Sequence, residues 1–180
     1  MEKPVIRISV RNLVEFILRS GDLESGGTAA DKEAMLKGSR LHRKIQKQMG
    51  SHYQPEVTLK KETEYEDLIL RVEGRADGIF MQDGKVCIDE IKGVYKNLEL
   101  LEEPVSVHRA QALCYGWIYL DEHELEEIDV QMTYAHLDTE VIKRFRETLT
   151  REELKKWYQN LTDSYHKWLA YQLEWRKKRK

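Results

Sequence analysis

The dipeptide Asp83-Gly84, set between the β-rich runs Glu73 to Gln82 and Lys85 to Gly93, constrains this chain more than any other feature. Both central residues of a type I′ turn take φ > 0, so Asp-Gly between two such runs predicts a tight β-hairpin. A two-residue turn fixes the register: Gln82 faces Lys85, Phe80 faces Cys87 and Asp77 faces Glu90. Directly opposed side chains on one face of an antiparallel pair have Cβ atoms about 5 Å apart, which sets two carboxylates side by side. Strand alternation puts Lys92 on the Glu90 face and turns Asp89 and Ile91 to the other. Val86, Ile88 and Ile79 share the Glu90 face, so the pair ends an apolar surface, where repulsion and unpaired charge are both costly. Two groups could offset it, Lys92 and a divalent cation. Mg²⁺ takes a few carboxylates at about 2.0–2.1 Å and completes its shell with water and phosphate oxygens. The alternative is a surface strand on which Asp77, Glu90 and Lys92 are ordinary solvated charges.

At 180 residues, 41% hydrophobic and 34% charged, the chain suits one domain with a sizeable core. Its net charge of −2 gives no global basic field, so a nucleic-acid surface would have to be a local patch. No run approaches the length of a membrane span, and the first residues lack the apolar core of a signal peptide, so no membrane partner and a cytoplasmic setting are expected. Cys87 and Cys114 each sit in an apolar pattern and read as small core residues. Two cysteines cannot complete a structural zinc or iron–sulfur site.

In chain order, an alternating run at 5–8 leads to Ser9, a plausible N-cap for a helix whose stripe is Leu13, Phe16 and Ile17 and which ends at Gly21. A polar loop, Asp22 to Gly27, precedes a long second helix opening at Thr28 and Asp31, with an inward stripe of Met35, Gly38, His42, Ile45 and Met49. His42 occupies a position where Leu or Ile would be expected; it is either a satisfied core histidine or, if the helix meets the hairpin, a ligand. Gly38 would let the helix approach another backbone closely. The outer face carries Lys37, Arg40, Arg43, Lys44 and Lys47, a solvated face or a phosphate track. Strands at 56–65 and 67–76 precede the hairpin and make an antiparallel meander. A helix over 105–120 has a core stripe of Val107, Ala110, Cys114 and Trp117, with His108, Gln111 and Tyr115 as a polar flank. Residues 128–136 form a strand, and 140–147 are a candidate for another. Thr150 and Glu153 open a last helix as a capping box, and the spacing of Leu154, Trp157, Leu161, Tyr165, Trp168 and Trp175 favours core packing over base stacking.

Gly38-x-x-x-His42, Gly74-x-x-Asp77, Glu90-Ile91-Lys92 and Gln111-x-x-x-Tyr115, in this order, resemble the RecB-type branch of the PD-(D/E)xK nuclease superfamily. That branch includes RecB-like exonuclease domains and CRISPR-associated nucleases of the same type. The resemblance implies an α/β restriction-endonuclease-like core, a central mixed β-sheet flanked by helices, with residues 1–180 as one nuclease domain or the N-terminal part of a longer helicase–nuclease chain. It implies His42, Asp77, Glu90 and the Ile91 carbonyl as metal ligands and Lys92 as the catalytic lysine beside Asp77 and Glu90. Gln111 and Tyr115 would line the site and contact the substrate backbone or Lys92, and Arg40 and Arg75 are further candidates for substrate binding. The implied cofactor is Mg²⁺ or Mn²⁺. Many relatives hold an iron–sulfur cluster on four cysteines that this chain lacks, so none is expected. The implied activity is DNA exonuclease action in repair or recombination, with DNA ends, single-stranded ones foremost, as substrate and a helicase domain or subunit as a candidate partner. The alternative is a non-catalytic nucleic-acid-binding module of a helicase–nuclease assembly.

Overall fold

A computed structural model describes residues 2–18 and 29–179. The elements are β1 (Val5–Ser9), α1 (Val10–Leu18), α2 (Ala29–Gln48), β2 (Gln54–Glu64), β3 (Ile69–Gln82), β4 (Lys85–Val94), α3 (Ser106–Glu122), β5 (Glu127–His136), β6 (Ile142–Thr150) and α4 (Arg151–Lys178). The expected end of the first helix, the loop after it and the Thr28 cap lie outside the described residues.

The fold is α/β, with a six-stranded mixed sheet flanked by helices. The path β1-β3-β4-β5-β6 has parallel pairs β1/β3 and β4/β5, antiparallel pairs β3/β4 and β5/β6, and β2 antiparallel on the other side of β3. The hairpin forms in the expected register, Gln82 opposite Lys85 and Phe80 opposite Cys87, with Asp83 and Gly84 both at positive φ. Two strands anticipated separately, 67–76 and the first arm of the hairpin, are one long strand, β3. It can be continuous because different partners take its two halves: β1 pairs Ile69 to Glu73, and β4 pairs Gly78 to Gln82.

Ser9 caps α1, its hydroxyl accepting from Asn12 N at 3.0 Å, and Thr150 with Glu153 forms the capping box of α4. The main core lies between one sheet face and α1, α3 and α4, and is built on Leu13, Leu70, Val72, Ile88, Leu113, Ile118, Ile128 and Leu154. The other face carries α2 over smaller apolar groups, Leu41 and Ile45 on Ile91 and Ala135, with Tyr53, Phe80 and Cys87 alongside. Cys114 is buried in the main core. The stripe of α2 differs from the periodic expectation, since Met35 is 72% exposed while Leu41 and Gln46 are buried. Its buried positions begin at Leu41, and the described residues of α2 before it are exposed or half-buried. In α4 the expected stripe is core only as far as Tyr165, and Trp168 and Trp175 are exposed.

Candidate metal and nucleic-acid site

The site forms where β3 parts from β4. Their ladder ends at Gly78 opposite Asp89, one pair short of Asp77 and Glu90. Beyond that rung β4 continues beside β5 and β3 beside β1, so a gap opens between neighbouring strands. The two carboxylates bridge its mouth: Asp77 Oδ2 accepts from Ile91 N at 2.7 Å, and Glu90 Oε1 accepts from Asp77 N at 3.2 Å. Each acid therefore satisfies a backbone donor that the ladder no longer reaches.

The expected alternation fails at this point. Leu70, Val72 and Ala76 face the main core, and so does Ile79, a step of three where a regular strand steps by two. The β2–β3 ladder loses a rung at the same place without a change of register, since Pro55 pairs with Gly78 and Val57 with Ala76 while Glu56 and Asp77 between them are unpaired. Glu56 takes a left-handed φ of 53°, an uncommon conformation for a side chain without a local reason for it. Gln46, buried on α2, spans the missing rung by donating to the Asp77 carbonyl at 2.8 Å and to Glu56 Oε1 at 3.1 Å.

The α2 helix reaches the hairpin, the condition under which His42 could act as a ligand. A Cβ placed on Gly93 of β4 would come within 3.7 Å of Gly38 Cα, so helix and strand approach closely there. One turn on, His42 Nε2 lies 3.0 Å from Asp77 Oδ1 and 3.6 Å from Glu56 Oε1. It is occluded from solvent, and the N–H direction misses the line a hydrogen bond to Asp77 needs. His42, Glu56 and Asp77 bring one ligand atom each to within 4.8 Å of one another, a set of nitrogen and oxygen donors able to hold a cation. An imidazole nitrogen facing carboxylate oxygens without an aligned hydrogen bond suits a metal centre.

Electrostatics follow from this crowding. Burial pushes the Glu90 carboxyl well above its usual range and Asp77 pushes it further, while Lys92 only partly opposes them. Burial alone would lower His42, but Asp77 and then Glu56 outweigh it and raise its pKa. Next to the site, on the sheet face that α2 covers, Asp89 is fully buried and accepts from Tyr53 Oη at 2.7 Å, Thr133 Oγ1 at 2.6 Å and Gln131 Nε2 at 3.2 Å. Burial raises its pKa against those three donors.

A coordinating imidazole nitrogen must be free of its proton. Mn²⁺ affinity, measured by calorimetry, is therefore expected to fall as pH drops through a value above about 6.5, the free histidine pKa. The metal-free protein behaves oppositely. A raised folded-state pKa means that protonated His42 contributes stability that is present below the unfolded value and lost as pH rises through the folded one. Mn²⁺ affinity that stays constant between about pH 6 and about pH 8 would return His42 to a structural role.

The cleft above these groups encloses about 850 Å³ and is lined by Ser9, Arg11, Gly38, Arg43, Gly74 and Tyr115 together with His42, Glu56, Arg75, Asp77, Ile91 and Lys92. Arg11, Arg43, Arg75 and Lys92 arrive from α1, α2, β3 and β4, so cations surround the carboxylates. The Arg75 Nε lies 3.8 Å from Glu56 Oε2. Arg40 lies over a separate depression with Lys37, Lys44 and Asp138. Gln111 is buried within α3, one turn from Tyr115. His108 bonds the Tyr134 hydroxyl at 3.0 Å; burial and then Lys92 lower its pKa to about 4. Glu56, Gln46 and Arg11 escaped the sequence reading. Nothing local marks a glutamate for a left-handed backbone, and Gln46 looks like one more polar residue of a helix.

Tyr115 packs against the backbone of Gly74, where a Cβ would fall 2.5 Å from the tyrosine hydroxyl and 3.1 Å from its ring. Gly74→Ala is expected to displace Tyr115 and destabilise the protein by about 1–3 kcal/mol, read as a lower Tm. An unchanged Tm would mean that the ring swings aside freely and does not shape the cleft wall.

No protein-family model matches the chain, and no curated protein matches it in sequence. Among solved structures it is similar to SSO0001, at 20% identity and a TM-score of 0.56 over 87% of this chain and 75% of that one. A phage-related exonuclease from Haemophilus somnus 129PT is a weaker match, at 12% identity and a TM-score of 0.42 over 91% of this chain and 82% of that one. The first likeness shows the fold. Among the described residues no helix is long and apolar enough to cross a membrane.

Proposed function

We propose that this chain is a Mg²⁺- or Mn²⁺-dependent deoxyribonuclease of the RecB-type PD-(D/E)xK branch, acting as an exonuclease on DNA ends. The observation that carries the reading is the convergence of His42, Glu56 and Asp77 beside the opened β3–β4 ladder, where Glu90 accepts from Asp77 N and Lys92 lines the cleft. A folded core has no structural need to gather like charges at the end of an apolar strand surface.

His42, Asp77, Glu90 and the Ile91 carbonyl would hold the cation, with Glu56 within reach. When bound, it would supply Lewis-acid polarisation of a phosphate oxygen and lower the pKa of a bound water. The chain's own groups do the rest. Arg11, Arg43 and Arg75 bind phosphates flanking the scissile one, and Tyr115 closes the wall against Gly74. Lys92 orients the attacking water or stabilises the negative charge that develops on the phosphorane.

Incubation with end-labelled and circular DNA, single- and double-stranded, in Mg²⁺, Mn²⁺ or chelator tests metal and end dependence together. Metal-dependent loss of the linear substrates with the circles spared is expected. Cleavage of circles at the same rate would make the enzyme an endonuclease, and no cleavage of any substrate would leave a binding module.

A further inference from the structure

The distal half of α4 has no place in the site above. The helix is about 42 Å long at 1.5 Å per residue, and its last buried residue is Tyr165. Beyond it, Trp168, Tyr171 and Trp175 follow a spacing of three and four that keeps them on one stripe, 37%, 63% and 47% exposed. The same stretch concentrates charge. Lys167, Arg176, Lys177, Lys178 and Arg179 stand against the single acid Glu174, in a chain whose net charge is −2. The Arg179 guanidinium lies over the Trp175 ring at 5.2 Å, so this surface already pairs a cation with an open indole face.

Its position relates it to the cleft. Trp168 packs on Phe16 of α1, ring centroids 4.6 Å apart, and the first residues of α1, Val10 and Arg11, line the cleft. Phe16 is six helical steps on from Val10, about 9 Å along the axis. The aromatic stripe therefore starts within about two helical turns of the cleft rim.

We infer that the distal half of α4 is an arm for single-stranded nucleic acid, stacking bases on Tyr171 and Trp175 and pairing phosphates with Arg176, Lys177 and Lys178. Base stacking on aromatics, with cations tracking the backbone, is the chemistry such strands offer, and a duplex hides those base faces. A second copy of this chain fits the patch worse, because it would bring two strongly basic helix ends together. The inference rests on the nuclease reading only for the direction in which the strand runs.

The test uses the full chain, in chelator for binding and in Mn²⁺ for cleavage, with oligothymidylates of about 20 and about four nucleotides as probes. The longer probe is expected to quench tryptophan emission. Tyr171→Ala with Trp175→Ala, both at exposed positions, should weaken its binding tenfold or more. Lys177→Glu with Lys178→Glu should flatten the dependence of log Kd on log salt by about 1.4, the change expected when two phosphates of a single strand are no longer neutralised. Cleavage of the shorter probe, which cannot span both surfaces, should stay at the wild-type rate in both variants. Wild-type affinity in both variants overturns the arm while leaving the nuclease reading intact. A fall in solution mass in the aromatic variant, by sedimentation, would overturn it in favour of a self-interface. A wild-type chain that neither binds the longer probe nor cleaves either one removes both readings.

Discussion

Asp77→Asn is expected to abolish cleavage, by at least about a thousandfold or about 4 kcal/mol of transition-state stabilisation, and to remove the rise in Tm that Mn²⁺ gives the wild type. Metal-free stability should hold or rise, because Asp77 faces a buried Glu90 whose pKa is driven up first by burial and then by Asp77 itself. A carboxyl raised on folding loses stability as pH rises above its unfolded pKa, so relieving the repulsion helps at neutral pH. The choice of residue matters. Asp77 Oδ2 is the acceptor for Ile91 N, and asparagine can keep that bond. Asp77→Ala leaves the amide unsatisfied and should lower metal-free stability by about 1–3 kcal/mol. A metal-free Tm that collapses equally in both variants would make the carboxylate a structural partner of His42 and sink its role as a ligand.

Lys92→Met is expected to lower the cleavage rate by about a hundredfold or more, about 2.7 kcal/mol, with DNA affinity nearly unchanged. Methionine keeps much of the side-chain length and removes the charge, so the group proposed to act on the water or the phosphorane is lost while the arginines proposed to hold phosphates remain. Metal affinity should stay level or increase, since Lys92 opposes cation binding at His42 and stabilises the ionised Glu90. Equal cleavage by variant and wild type would exclude Lys92 from the chemistry. If both bind DNA equally and neither cleaves, the chain is a binding module on a nuclease-like fold.

The Asp83-Gly84 hairpin was legible because its causes are local. A turn that needs two left-handed residues and two alternating flanks determines the register without help from the rest of the chain, so Phe80 opposite Cys87 followed from neighbouring residues alone. The capped starts of α1 and α4 were legible for the same reason, since the side chain and the amide it satisfies lie three residues apart. The approach of Glu90 to Asp77 followed from the hairpin register, and that of His42 to Asp77 was marked by a histidine on an inward helix position where Leu or Ile would be expected.

Tertiary structure decided the rest. Nothing around Asp77 announces that the ladder ends at Gly78, because the ending depends on β1 taking one half of β3 and β4 the other, and β1 lies more than sixty residues upstream of its partner. That competition opens the gap and breaks the alternation. It leaves Glu56 and Asp77 unpaired so that Gln46 can span them. Periodicity likewise showed that α4 carries an apolar stripe, but not where the stripe runs past the core. Helical spacing records which residues share a face, and only the extent of the body beneath decides that Tyr165 is buried and Trp175 is left for another partner.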